Sequence, residues 1–158
     1  MERRGRQDRR KSPVIALLLA LALAPAFAHG ALGERAESTD VDQKMLHARK
    51  SVRPVAQYTV HELELPSGTM VREYVNADGR VFAVAWRGST LPDLKQIFGE
   101  ENLQAFLSSP PEQRTPHKSR AVREPGLVAR SSGRGRFFAG FAYIPSLMPR
   151  TVREEDIR

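Results

Sequence analysis

The 158-residue chain contains no cysteine. That excludes a disulfide framework, a cysteine-ligated zinc or iron–sulfur site, a cysteine nucleophile and a lipidated N-terminal cysteine. Long apolar runs are missing too. The longest, Val14–Ala24, has 11 residues, against the roughly 20 needed to cross a bilayer. There is no internal repeat, no glycine-rich phosphate loop ending in Lys-Ser/Thr and no Gly-x-Ser-x-Gly elbow. Ser67, in Leu65-Pro66-Ser67-Gly68-Thr69, therefore reads as a turn serine.

What is present begins with charge: 25 Lys and Arg against 18 Asp and Glu, a formal net charge of +7. Much of the excess lies in the first residues. Arg3, Arg4, Arg6, Arg9, Arg10 and Lys11 precede the apolar run, Pro25 ends it, and Ala26-Phe27-Ala28 has the small-x-small form of a cleavage site. Residues 1–28 thus read as a signal peptide for the general secretory route, with cleavage after Ala28 and a periplasmic or extracellular destination. The remaining 29–158 carries +3, divided as −2 over 29–102 and +5 over 103–158. A chain of this length forms one small domain. With no second apolar segment, no membrane span is expected after cleavage.

Along 29–158 the pattern is α+β. Residues 29–39 read as a loose leader. Asp40 and Gln43 resemble a capping pair for a short helix, with Val41, Met45, Leu46 and Ala48 on its apolar side and Pro54 closing it. Three strand-like runs follow, Ala56–Leu65, Thr69–Val75 and Arg80–Arg87, joined by Pro66-Ser67-Gly68 and Ala77-Asp78-Gly79. Three-residue loops ending in glycine make antiparallel hairpins, so 56–87 is a three-stranded meander. Its loops set a register. Leu63 faces Val71, Glu62 faces Arg72 and His61 faces Glu73; then Tyr74 faces Phe82, Arg72 faces Val84 and Met70 faces Trp86. One face gathers Met70, Tyr74, Phe82, Val84 and Trp86, the other Leu63, Leu65, Val71, Val75, Val81, Ala83 and Ala85. Both are apolar enough to need cover. Leu91-Pro92-Asp93 opens a helix interrupted at Gly99 and resumed through Leu103, Phe106 and Leu107. Residues 108–124 form a mobile linker. A second hairpin spans 126–144 around Ser132–Gly135, and Thr151 with Glu154 caps a last short helix.

The runs Tyr58-Thr59-Val60-His61-Glu62, Leu65-Pro66-Ser67-Gly68-Thr69, Val71-Arg72-Glu73-Tyr74-Val75, Gly79–Trp86 and Leu91-Pro92-Asp93-Leu94 resemble a family of short secreted proteobacterial proteins, domain of unknown function 2844. So do Phe138–Pro145 and the terminal Glu155-Asp156-Ile157-Arg158. The resemblance covers nearly all of 29–158 and departs most at Pro110–Arg123. It implies secretion and a shared small fold, and it brings no catalytic residues with it.

Three constellations bear on function. His61 opposite Glu73 has the composition of an acid–base pair, with the carboxylate orienting the imidazole. It reads equally as a cross-strand polar pair, which is preferred because nothing else supplies a nucleophile or an oxyanion hole. A metal site using His61, Glu62, Glu73 and His47 is weaker, since neighbours on a strand alternate faces and Glu62 points away from His61. Glu62 opposite Arg72 is a structural ion pair, with Arg72 placed to stack on Trp86. Arg114, Lys118, Arg120, Arg123, Arg130, Arg134 and Arg136 form a basic stretch opposed only by Glu124. It reads as a contact for an anionic envelope component or an acidic protein, or, by preference, as a solvated linker and charge-guarded edge. The expected compartment argues against genomic nucleic acid. The leading expectation is a non-enzymatic binding or accessory protein of the bacterial envelope, without a cofactor. The alternative is a small periplasmic hydrolase or metal-binding enzyme using His61 and Glu73.

Overall fold

The computed structural model describes residues 31–110 and 119–158. The proposed signal peptide, the first residues of the leader, and Arg114 and Lys118 lie outside the described residues.

One antiparallel sheet of seven strands organises the chain, in the order β1-β2-β3-β4-β7-β6-β5. Its strands are β1 (Arg49–Val55), β2 (Tyr58–Glu64), β3 (Met70–Asn76), β4 (Val81–Gly88), β5 (Arg120–Arg123), β6 (Val128–Arg134) and β7 (Phe137–Tyr143). Helices α1 (Ser38–Met45), α2 (Leu94–Phe98) and α3 (Glu100–Ser108) complete an α+β fold. The expected meander is β2-β3-β4 and the expected hairpin is β6-β7. Two further strands lie at the edges.

The glycine-ended loops behave as their chemistry requires. Gly68 and Gly79 take φ of 77° and 72°, the left-handed region that glycine enters without penalty. The closing bonds Leu65 N–H to Thr69 O and Asn76 N–H to Arg80 O are both 2.9 Å. The β2-β3 register follows as expected, with His61 opposite Glu73, Glu62 opposite Arg72 and Leu63 opposite Val71.

The β3-β4 register departs from expectation by one residue. Val75 pairs with Val81, but Tyr74 pairs with Ala83, Arg72 with Ala85 and Met70 with Arg87. Phe82 is the extra residue of a β-bulge, which reverses the facing of everything beyond it. Val84 and Trp86 therefore join Leu63, Val71, Val75 and Val81 beneath the helices. Phe82 and Ala83 both turn to the opposite face, with Val60, Tyr74 and Ala85. Packing explains the choice: Phe82 sets its ring edge-on to Tyr58 at 5.8 Å and lies 6.0 Å from Tyr74. Arg72 consequently stands on the face away from Trp86. It bonds Glu62 at 2.8 Å and the Arg158 carbonyl at 2.7 Å, instead of stacking on the indole.

Helices cover one face. Trp86, Phe98 and Phe106 form an aromatic row with centroids 5.6 and 5.8 Å apart. Asp93 caps α2, its carboxylate accepting from Lys95 N–H and Gln96 N–H at 2.9 and 3.2 Å. Gly99, at φ 78°, breaks α2 from α3. The segment 144–158 covers much of the other face, burying Val152 and Ile157. Its last short helix is a single 3-10 turn, Glu154–Asp156. The Asp156 carboxylate accepts from Arg153 N–H at 2.8 Å, while Thr151 turns instead to Gln57.

Other segments also differ from the sequence reading. Residues 31–39 are packed: Ala31 and Leu32 are buried, and Gly33 N–H bonds Val81 O at 2.8 Å. Helix α1 starts before Asp40, whose carboxylate binds Lys50 instead of capping. Val41 and Met45 are exposed, and Thr39 and Asp42 are the buried side. Residues 49–55, too polar to signal a strand, pair with β2 through a two-residue Ala56-Gln57 turn. Arg49, Arg53 and Pro54 then guard that edge. Within 108–124, Arg120–Arg123 forms β5 because Val122 is buried in the helix-side core. The β6-β7 turn is Gly135-Arg136, with Arg134 opposite Phe137, tighter than the four-residue loop expected.

Candidate functional site

Two regions gather the polar chemistry of the molecule. The first lies where α1 crosses β2 and β3. The turn spacing of α1 puts Thr39 and Asp42 three residues apart on one face, and that face meets His61 and Glu73. Asp42 and Glu73 are both fully buried. Gln96 of α2 donates to Asp42 Oδ1 at 2.7 Å. Asp42 Oδ2 and both Glu73 oxygens have no other donor. Two ionised carboxylates can only accept, so one proton held between them engages two of these three oxygens. Burial pushes the Glu73 carboxyl well above the usual carboxylate range, and the neighbouring Asp42 pushes it further. Burial raises Asp42 as well, with the contacts to Glu73 and Gln96 offsetting part of the rise.

His61 is opposite Glu73 and on the same face, but no hydrogen bond among the described residues joins them. The imidazole Nδ1 lies 2.8 Å from Thr39 Oγ1. Lys50 Nζ bonds the same hydroxyl at 2.5 Å and Asp40 at 2.6 Å. Burial, then the Lys50 charge, holds the His61 pKa below its ordinary value, which favours the neutral ring. His61 and Lys50 open onto a shallow surface depression, whereas Glu73 lies sealed beneath α1. Glu62 turns to the opposite face with Arg72, and His47 is exposed at the end of α1 with φ 51°. The four residues of the metal alternative are therefore not brought together. Among the described residues no other group of three acidic, His or Cys side chains is placed to hold a metal ion.

The second region is the basic stretch, which the fold divides. Arg120 caps α3: its guanidinium donates to the carbonyls of Phe106 at 2.6 Å, Leu107 at 2.9 Å and Ser109, and lies over the Phe106 ring. Those are carbonyls that a helix end leaves without partners. Arg123 pairs with Glu154 at 3.0 Å. Arg130, Arg134 and Arg136 are exposed on the β6-β7 hairpin. The structure adds Arg87, which no sequence pattern marked. It ends the buried run of β4, stands beside the hairpin, and lies over the Phe137 ring at 5.1 Å. None of these last four arginines is in an ion pair among the described residues.

Between Arg87 and Arg130 runs a groove of about 490 Å³ on the face that the C-terminal segment only partly covers. Its floor is β7, where Ala139 and Phe141 point outward; Ile157 closes one end. The cross-strand rows are Ala85–Phe141–Arg130 and Arg87–Ala139–Ser132. Gly140, between them, points the other way and lets the Trp86 ring lie against the strand. A Cβ there would meet Trp86 Cζ2 at 2.2 Å.

The model of the family described as protein of unknown function (DUF2844) matches residues 28–157. No curated protein and no solved structure matches the chain.

Proposed function

From the DUF2844 family, to which this chain belongs, we propose an exported, non-enzymatic binding or accessory protein of the bacterial envelope whose working surface is the β6-β7 hairpin with β4. One observation carries the reading: Arg87, Arg130, Arg134 and Arg136 converge on one end of the sheet with no carboxylate paired to them among the described residues. A stability role leaves such charge uncompensated, whereas an anionic partner satisfies it and is drawn to it. The N-terminal basic, apolar and small-residue segments support export, and with it an envelope partner.

The test is capture from native envelope extracts with protein recovered from an exporting host. The wild type retains a component that Arg130→Gln/Arg134→Gln/Arg136→Gln protein does not, and raised salt releases it. Equal capture by both proteins removes the reading.

A further inference from the structure

The groove beside those arginines has a chemistry more specific than its charge. Ala139 and Ser132 are small, so the surface dips beside the Phe141 ring. Arginines rise on both sides, one from β4 and one from β6. The two acids on its rim, Glu154 and Glu155, are already engaged: Arg123 and the Tyr143 hydroxyl each lie 3.0 Å from Glu154, and Arg153 lies 3.4 Å from Glu155. Arg87 and Arg130, with Arg158 at the same rim, thus set the charge that an occupant meets. At about 490 Å³ the space is within the usual size of small-ligand sites, roughly 300–1,000 Å³.

We propose that this groove binds an anionic amphiphile, with a carboxylate or phosphate head held by Arg87 and Arg130 and an alkyl chain laid over Ala139 and Phe141. The proposal rests on the reading of this face as a binding surface and names its ligand class. The guanidinium fork matches the planar oxygens of a carboxylate or phosphate. The arginine stems extend the apolar floor while their heads remain polar. A purely apolar ligand would strip water from both guanidinium groups and return nothing. A hydrophilic polyanion would leave the floor unused.

The experiment is titration calorimetry on protein recovered from an exporting host. The probes are dodecanoate and dodecyl phosphate, each below its micelle concentration, with dodecyl maltoside and inorganic phosphate as partial mimics. Both anionic amphiphiles bind saturably at one site, and each partial mimic binds at least tenfold more weakly. Arg87→Gln and Arg130→Gln, exposed substitutions that leave the fold intact, each raise Kd roughly tenfold or more, as expected for losing one charge-assisted contact. Ala139→Trp fills the floor and abolishes binding. Comparable binding of dodecyl maltoside or inorganic phosphate, or Kd values unmoved by the arginine changes, overturns the proposal. Phosphatidylglycerol vesicles separate the sources. Association that persists in Ala139→Trp is adsorption to a bilayer by exposed arginines and also overturns the groove. Envelope capture of a protein alone, without amphiphile binding, removes this ligand class and leaves the broader function standing. Amphiphile binding without arginine-dependent envelope capture does the reverse.

Discussion

Replacing Glu73 by glutamine should change how stability depends on pH, leaving stability little altered at the acid end and raised toward alkaline pH. In the folded protein Glu73 is fully buried against Asp42 and its pKa stands well above the ordinary 4.5. In the unfolded chain it loses its proton near that ordinary value. Above it, the folded state binds more protons than the unfolded state, so stability is complete below about pH 4.5 and falls as pH rises toward the folded value. The slope is about 1.4 kcal/mol per pH unit for one proton. Asp42, raised in the same direction, adds to the loss at its acid end. His61 acts oppositely. Its folded pKa is depressed, so its contribution is present above the ordinary 6.5 and is lost on acidification. Absolute curves mix these effects, and the difference between variant and wild type isolates the carboxyl. Glu73→Gln keeps a donor facing Asp42 at every pH. Urea unfolding from pH 5 to 8 should show the variant close to wild type at pH 5 and gaining on it as pH rises. A difference that does not change across that range would refute a proton held between Asp42 and Glu73.

Three further outcomes test the fold. Gly140→Ala drives a Cβ into Trp86 and to 2.3 Å from the Arg130 carbonyl, and should cost about 1–3 kcal/mol by overpacking, read as a lower urea midpoint. Arg120→Ala removes three acceptor contacts from the end of α3. It should cost about 1–3 kcal/mol and raise hydrogen exchange in the last turn of that helix and along β5. Phe82→Ala empties the bulge position, where the ring is fully buried, and should cost about 3–5 kcal/mol in denaturant unfolding, with a tolerant site refuting the packing account of the shifted register.

The β2-β3 hairpin was legible because its information is local. Pro66-Ser67-Gly68 permits few loop geometries, and once Leu65 meets Thr69 every cross-strand partner down to Tyr58 follows. The same reasoning set the close of the β3-β4 loop at Asn76 and Arg80, then failed two residues later. Nothing in Tyr74-Val75 or Val81-Phe82 announces a bulge. It is chosen because Phe82 packs with Tyr58 and Tyr74 while Val84 and Trp86 fill the space under α2 and α3. Strand β1 was hidden for a related reason. Arg49-Lys50-Ser51-Val52-Arg53-Pro54 has one partner strand and little to bury, so no apolar alternation marks it.

The two regions of interest divide along the same line. His61 opposite Glu73 followed from hairpin register, and Arg130, Arg134 and Arg136 were visible as a basic run. No sequence pattern marked Asp42, and only the seating of α1 on β3 makes it half of a buried carboxyl pair. Arg120 and Arg123 belonged to the same run, yet one caps a helix and the other pairs with Glu154. Arg87, well before the run in sequence, joins the hairpin because β4 and β7 are neighbours in the sheet. Turn chemistry and strand alternation act over a few residues, so the amino-acid sequence by itself determined the α+β class, the meander and one register. Which charges are spent on structure, and which are gathered around a groove, depends on residues distant in the chain, and that only the tertiary packing decided.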